Sequence, residues 1–184
     1  MRLIATLLAL LLAGCTGGGN CVRLPAGAQY CLMDGPWPEY SAEQAATVTF
    51  QDKTMRLITR VQSGEKGLHF AGVTPLGQTV VQVSWENGIL HGDMPPPLAD
   101  RLDGALFPAL LQIATWPAEE VRKGLPGGLA LIEKEGRRIV SDGQQDILIV
   151  SWEGKTLPYQ RLRFEAPAVR LLIDVQTLDD ETAQ

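Results

Sequence analysis

The feature that most constrains the fold is a series of short segments in which apolar and polar residues alternate one by one. Val48 and Phe50 in "TVTFQ", Met55, Leu57 and Val61 in "TMRLITRV", Leu68 and Phe70 in "GLHFAGV", and Val81, Val83 and Trp85 in "TVVQVSW" all fall on even spacings. Successive side chains of a strand point to opposite faces, so this period predicts β-strands with one covered face. Gly, Asp and Asn between the segments predict antiparallel connections. In "WENGIL" the Asn-Gly pair predicts a tight hairpin turn into a short strand ending near His91. The same patterning resumes in "LALIEKEG", "RRIVSDG", "DILIVSWEG", "YQRLRFEA" and "AVRLLIDVQ".

Between the two series the period changes. Leu98, Leu102, Leu106, Ala109, Leu110 and Ile113 follow helical spacing and form one apolar stripe. Pro108 lies within that run, so the segment is either a kinked helix or two short ones. A second short helix, "PAEEVRKGL", opens on Pro117, with Glu119 and Glu120 near its positive end and Arg122 and Lys123 near its negative end. About ten strands with a helical insertion predict a mainly β, α+β domain: a strongly curved sheet or unclosed antiparallel barrel covered by helices. Composition agrees, because 45% hydrophobic and 20% charged residues in 184 allow one globular domain with a sizeable core.

The N-terminus reads differently. Arg2, an apolar run, then Leu12-Ala13-Gly14-Cys15 have the layout of a secretory signal ending in a lipobox, in which the cysteine is acylated after cleavage; an unpaired cysteine is the alternative. Acyl chains at roughly 0.8 kcal/mol per buried methylene make a firm anchor. Thr16 follows Cys15 where an inner-membrane retention signal would have Asp, which favours the outer membrane, periplasmic face, as the location. The expected organisation is a signal over 1–14, a lipidated tether and cysteine loop over 15–44, the barrel over 45–176 and an acidic tail over 177–184. Export makes a disulfide the natural fate of Cys21 and Cys31.

Removing residues 1–14 takes away Arg2 and no acid, moving the formal charge from −5 to −6. That balance argues against a nucleic-acid partner and against strong polybasic attachment to anionic lipid. The sequence offers no GxSxG elbow, HExxH, phosphate-binding glycine loop or CxxC, and no cofactor or metal site is expected. His69 reads as a histidine on the outer strand face, and His91 with Asp93 as a solvated pair at a strand end. The chain is therefore expected to bind rather than to catalyse, and to act as a monomer.

One turn departs from the usual chemistry. In "VTPLGQ", Pro75 and Gly77 supply the turn and leave Leu76 at its tip, where Gly, Asn, Asp or Ser is the rule. On the opposite side of the economy of apolar residues, the inward strand positions Val48, Phe50, Leu57, Leu68, Phe70, Val81, Val83 and Trp85, with Leu106, Leu110 and Ile113 from the helical lid, are candidates to line a hydrophobic cavity. An ordinary sheet-on-helix core is the alternative.

The order "GLHFAGVTPLGQTVVQV", the helical "LFPALLQIATWPAEEVRKGLPGG", and a hairpin series ending in "RLRF" and "VRLLIDV" resembles the lipoprotein family DUF3261, and "CVRLPAGAQYCL" resembles its N-terminal cysteine pair. Several members of that family are encoded with aryl polyene biosynthesis. The layout is more distantly similar to the LolA/LolB carriers and receptors, whose unclosed barrel holds an apolar cavity under a helical lid. In the receptor a leucine in a Pro-Leu-Gly turn protrudes and is needed for delivery; the matching residues here are Pro75, Leu76 and Gly77, and residues 124–128 resemble its segment after the helices. The resemblance implies an outer-membrane lipoprotein that binds a hydrophobic cargo, an aryl polyene lipid or lipoprotein acyl chains, and passes it to the membrane. It also implies a periplasmic LolA-like carrier as partner. A structural or assembly lipoprotein with a filled barrel is the alternative.

Overall fold

A computed structural model describes residues 20–93 and 103–178. Cys15, Leu98 and Leu102 lie outside the described residues. Two strands come first, β1 (Cys21–Arg23) and β2 (Gln29–Cys31), followed by a first series, β3 (Tyr40–Phe50), β4 (Lys53–Gly64), β5 (Gly67–Val73), β6 (Thr79–Glu86) and β7 (Ile89–Asp93). The helices α1 (Leu106–Thr115) and α2 (Ala118–Lys123) lead into a second series, β8 (Ala130–Lys134), β9 (Arg137–Ser141), β10 (Asp146–Glu153), β11 (Arg161–Ala166) and β12 (Leu171–Thr177).

Each series is an antiparallel meander, and the two join where β3 pairs with β12, Val48 opposite Ile173 and Ala46 opposite Val175. The result is one ten-stranded sheet in the order β7-β6-β5-β4-β3-β12-β11-β10-β9-β8. Its two free edges, β7 and β8, are also the strands that the helical segment connects. That segment must cross from one edge to the other, and it does so over one face of the sheet. A twisted sheet of this width curls rather than staying flat, and the helices take the concave side. Here Leu110, Ile113 and Val121 join Leu57, Val61, Leu68, Trp85, Val140, Leu148 and Phe164 in one core.

Local chemistry fixes the turns and helix ends. Asn87 and Gly88 both adopt positive φ, 51° and 75°, as a type I′ hairpin demands. Pro108 neither kinks α1 nor divides it: the helix begins at Leu106, so the proline falls in the first turn, where its missing N–H is not needed. At the other end of α1, the buried guanidinium of Arg138 donates from Nη1 to the carbonyls of Ile113 (2.8 Å) and Trp116 (2.7 Å). Those carbonyls have no partner within the helix, and a cation suits the negative end of its dipole. In α2, Glu119 pairs with Arg122 and Glu120 with Lys123, each at 2.7 Å, as the charge order predicts.

The N-terminal segment corrects an expectation. Residues 15–44 read as tether and loop, with folding from about Ala45; instead β3 starts at Tyr40, and residues 20–33 form a hairpin within the core. Cys21 and Cys31 face each other in its register and are disulfide-bonded. Val22 and Tyr30 are fully buried and Leu24 nearly so. Apolar burial against α1, rather than intrinsic strand propensity in three-residue strands, holds this hairpin in place.

Candidate functional site

Two faces of the sheet carry candidate chemistry. On the concave face, β4 to β6 turn Leu57, Leu68 and Trp85 inward, and α1 turns Leu106, Leu110 and Ile113 toward them; all are buried in the common core. Phe70 is half-buried, its ring stacked on Phe107 at 4.9 Å, and Val48 packs against the rim of the same core. Val81 and Val83 are buried on the same side but outside that contiguous cluster. Phe50 keeps the inward parity yet is 47% exposed, because it ends β3 with only Lys53 and Leu171 across from it. Eight of the eleven strand and helix positions thus meet in one core, with Val48 and Phe70 counted at its margin.

A helical lid over the concavity was expected, but the hairpin that packs there beside α1 was not. The hairpin β1–β2 lies against α1, and the two are joined through Gln112, which is fully buried. Its Oε1 accepts from the Tyr30 hydroxyl (3.0 Å) and the Met33 N–H (3.1 Å), while its Nε2 donates to the Met33 carbonyl (2.7 Å). Burial pushes the Tyr30 phenol well above its ordinary range, the nearby Arg138 charge opposing only in part. Gly124, just after α2, accepts from the Cys31 N–H at 2.7 Å. A Cβ there would meet the Cys31 carbonyl oxygen at 2.5 Å and the Tyr30 ring at 2.7 Å, so the close approach of hairpin and helix end requires glycine. In sequence the only clue was a glutamine inside the apolar run "ALLQIATW".

At the end of the meander where β5 turns into β6, Leu76 is 89% exposed. The turn is closed without its side chain: the Thr74 N–H donates to the Gln78 carbonyl and the Gly77 N–H to the Thr74 carbonyl, both at 2.8 Å. Gly77 has φ 81°, a conformation that suits glycine, and Leu76 before it projects from the turn.

The outward face of β4 to β7 bears a recess of about 470 Å³, lined by Arg60, Gln62, His69, Ala71, Gln82, Ser84 and His91 among others. Strand register assembles it: Gln62, His69, Ser84 and His91 are successive cross-strand neighbours, and Arg60, Ala71 and Gln82 form the next row. Arg60 lies 3.2 Å from Glu43, and His69 3.6 Å from Glu86. Among the described residues no group of three or more His, Cys, Asp or Glu is arranged to hold a metal ion. His69 faces outward as the alternation predicts, and His91 shares its face. Sequence reasoning treated the two separately because only the register brings them into one row.

The architecture defines a mainly β protein built on a large unclosed antiparallel sheet, its concave side occupied by helix and hairpin. A family profile described as "Protein of unknown function (DUF3261)" matches residues 41–179, and the chain belongs to that family. The match starts at β3, so the disulfide hairpin precedes it. No curated protein matches the chain.

Proposed function

We propose that this chain is a lipoprotein, anchored through acylated Cys15 at the periplasmic face of the outer membrane, that binds a hydrophobic cargo and passes it to the membrane. Cargo of the fitting class is an aryl polyene lipid or the acyl chains of a lipoprotein, received from a soluble carrier of the LolA type. The observation that carries this reading is Leu76, held 89% exposed on a turn that does not need it. Burying one leucine is worth roughly 1.5–3 kcal/mol, too little to hold a protein at a bilayer but enough to bias an already anchored one toward contact. The unclosed sheet with helices on its concave side supports a LolA/LolB-like relationship. Since α1 and the hairpin occupy that side, cargo enters by displacing one of them.

The continuous core favours a second reading, a structural or assembly lipoprotein whose barrel is filled by its own side chains. Native mass spectrometry of a soluble form lacking residues 1–15, purified without detergent, separates the two. Transfer predicts co-purified lipid or uptake of a fluorescent fatty acid; a protein that is lipid-free and binds none contradicts it.

A further inference from the structure

We infer that this protein lies on its side at the membrane, presenting the outward face of β4 to β7, and that the recess on this face receives zwitterionic phospholipid headgroups. The inference rests on the reading of Cys15 as the acylated anchor. Asn20, the first described residue, is pinned to one end of β6: its Nδ2 donates to the Gly88 carbonyl at 2.6 Å, and its own carbonyl accepts from the Leu32 N–H at 3.1 Å. Covalent geometry limits the five links from Cys15 to Asn20 to about 18 Å. Leu76 lies past the other end of β6, whose eight residues span about 24 Å, which puts it roughly 30 Å from Asn20.

An upright molecule cannot satisfy both contacts. With Asn20 toward the bilayer, Leu76 points away from it; with Leu76 down, Asn20 stands beyond the tether's reach. Both meet the surface only if the β6 axis is inclined by no more than roughly 40° to the membrane plane. This limit leaves rotation about the β6 axis open, and the outward face is assigned to the membrane by its own chemistry.

The chemistry of that face supports the same orientation independently of the tether. Ile89 is 55% exposed and lies on the outward side of β7 next to Gly88, so exposed apolar side chains, Leu76 and Ile89, stand at both ends of β6. Between them the recess offers Arg60, His69, His91, Gln82 and Ser84 as hydrogen-bonding groups for a phosphate. Glu43 and Glu86, already beside Arg60 and His69, can accept from a headgroup ammonium. Arg60 beside Glu43 pairs a cation with a carboxylate, which matches a zwitterion better than a purely anionic surface.

The test uses the full-length acylated protein in phosphatidylethanolamine vesicles with a minority of phosphatidylglycerol. Spin labels are placed at Gln82→Cys in the recess, at Ile89→Cys, and at Gln144→Cys, an exposed residue of the β9–β10 turn on the other meander. Labels at positions 82 and 89 should be shielded several-fold from a water-soluble relaxation agent relative to position 144, and Arg60→Glu should remove much of the shielding at 82. A protein that floats with the vesicles but leaves position 82 as wet as 144 overturns the inference alone; one that does not float removes the anchor reading and the inference with it. Inorganic phosphate that perturbs the position 82 label as strongly as vesicles do contradicts the headgroup assignment.

Discussion

Gln112 and Arg138 show how single side chains hold the covered face together. Gln112 is surrounded by apolar residues, and each of its polar atoms is engaged by Tyr30 or Met33. Replacing it with Leu leaves the Tyr30 hydroxyl and both Met33 backbone groups without that partner, a loss of about 3 kcal/mol or more for three groups at roughly 1–3 kcal/mol each. Chemical denaturation of Gln112→Leu checks this; an unchanged midpoint would mean that water replaces the side chain. Arg138→Met exposes the opposite weakness, two uncapped carbonyls at the end of α1, and is expected to cost about 2 kcal/mol, with Arg138→Lys failing to restore both bonds. Leu76→Glu, by contrast, should leave the melting temperature nearly unchanged, because a side chain 89% exposed contributes little to the folded state. A marked loss would identify Leu76 as a packing residue.

Among elements, the strands of five residues or more were legible and the three-residue β1 and β2 were not. β4, β5 and β6 announce themselves through Leu57, Val61, Leu68, Val81, Val83 and Trp85, since a period of two survives any later choice of partner. The β1–β2 hairpin has three-residue strands, too few for a period to show, and its burial depends on α1, which is remote in sequence. Pro108 left two readings open because its effect depends on where the first helical turn begins. The recess was illegible for another reason: Arg60, His69 and His91 come from three strands, and only register makes them neighbours. The β9–β10 turn gives an element-level check. Backbone N–H groups of Gln145 and Gln144 donate to the Asp142 carboxylate at 2.8 Å, and they hold its carboxyl below the ordinary value. A depressed folded-state value favours the fold above the ordinary carboxylate range, and that contribution is lost as pH falls through the folded midpoint. Carboxyl-carbon NMR should give Asp142 a midpoint below the usual aspartate value; an ordinary midpoint would mean the turn is not held in this form.

At the scale of the whole molecule, topology and proposed function are linked. Joining two meanders through β3 and β12 leaves free edges at β7 and β8, and the connection between those edges crosses the concave face as α1 and α2. A sheet built this way is covered on its concave face by helices instead of being closed by strands, and the proposed loading and release of an apolar molecule calls for that cover to move. The disulfide-linked hairpin adds a second cover on the same face. Transfer of a fluorescent acyl lipid from donor to acceptor vesicles, catalysed by the acylated protein in the acceptor, tests this most directly. The native protein should accelerate transfer and Leu76→Glu, folded to the same melting temperature, should not; no acceleration by the native protein, or equal acceleration by both, would contradict it.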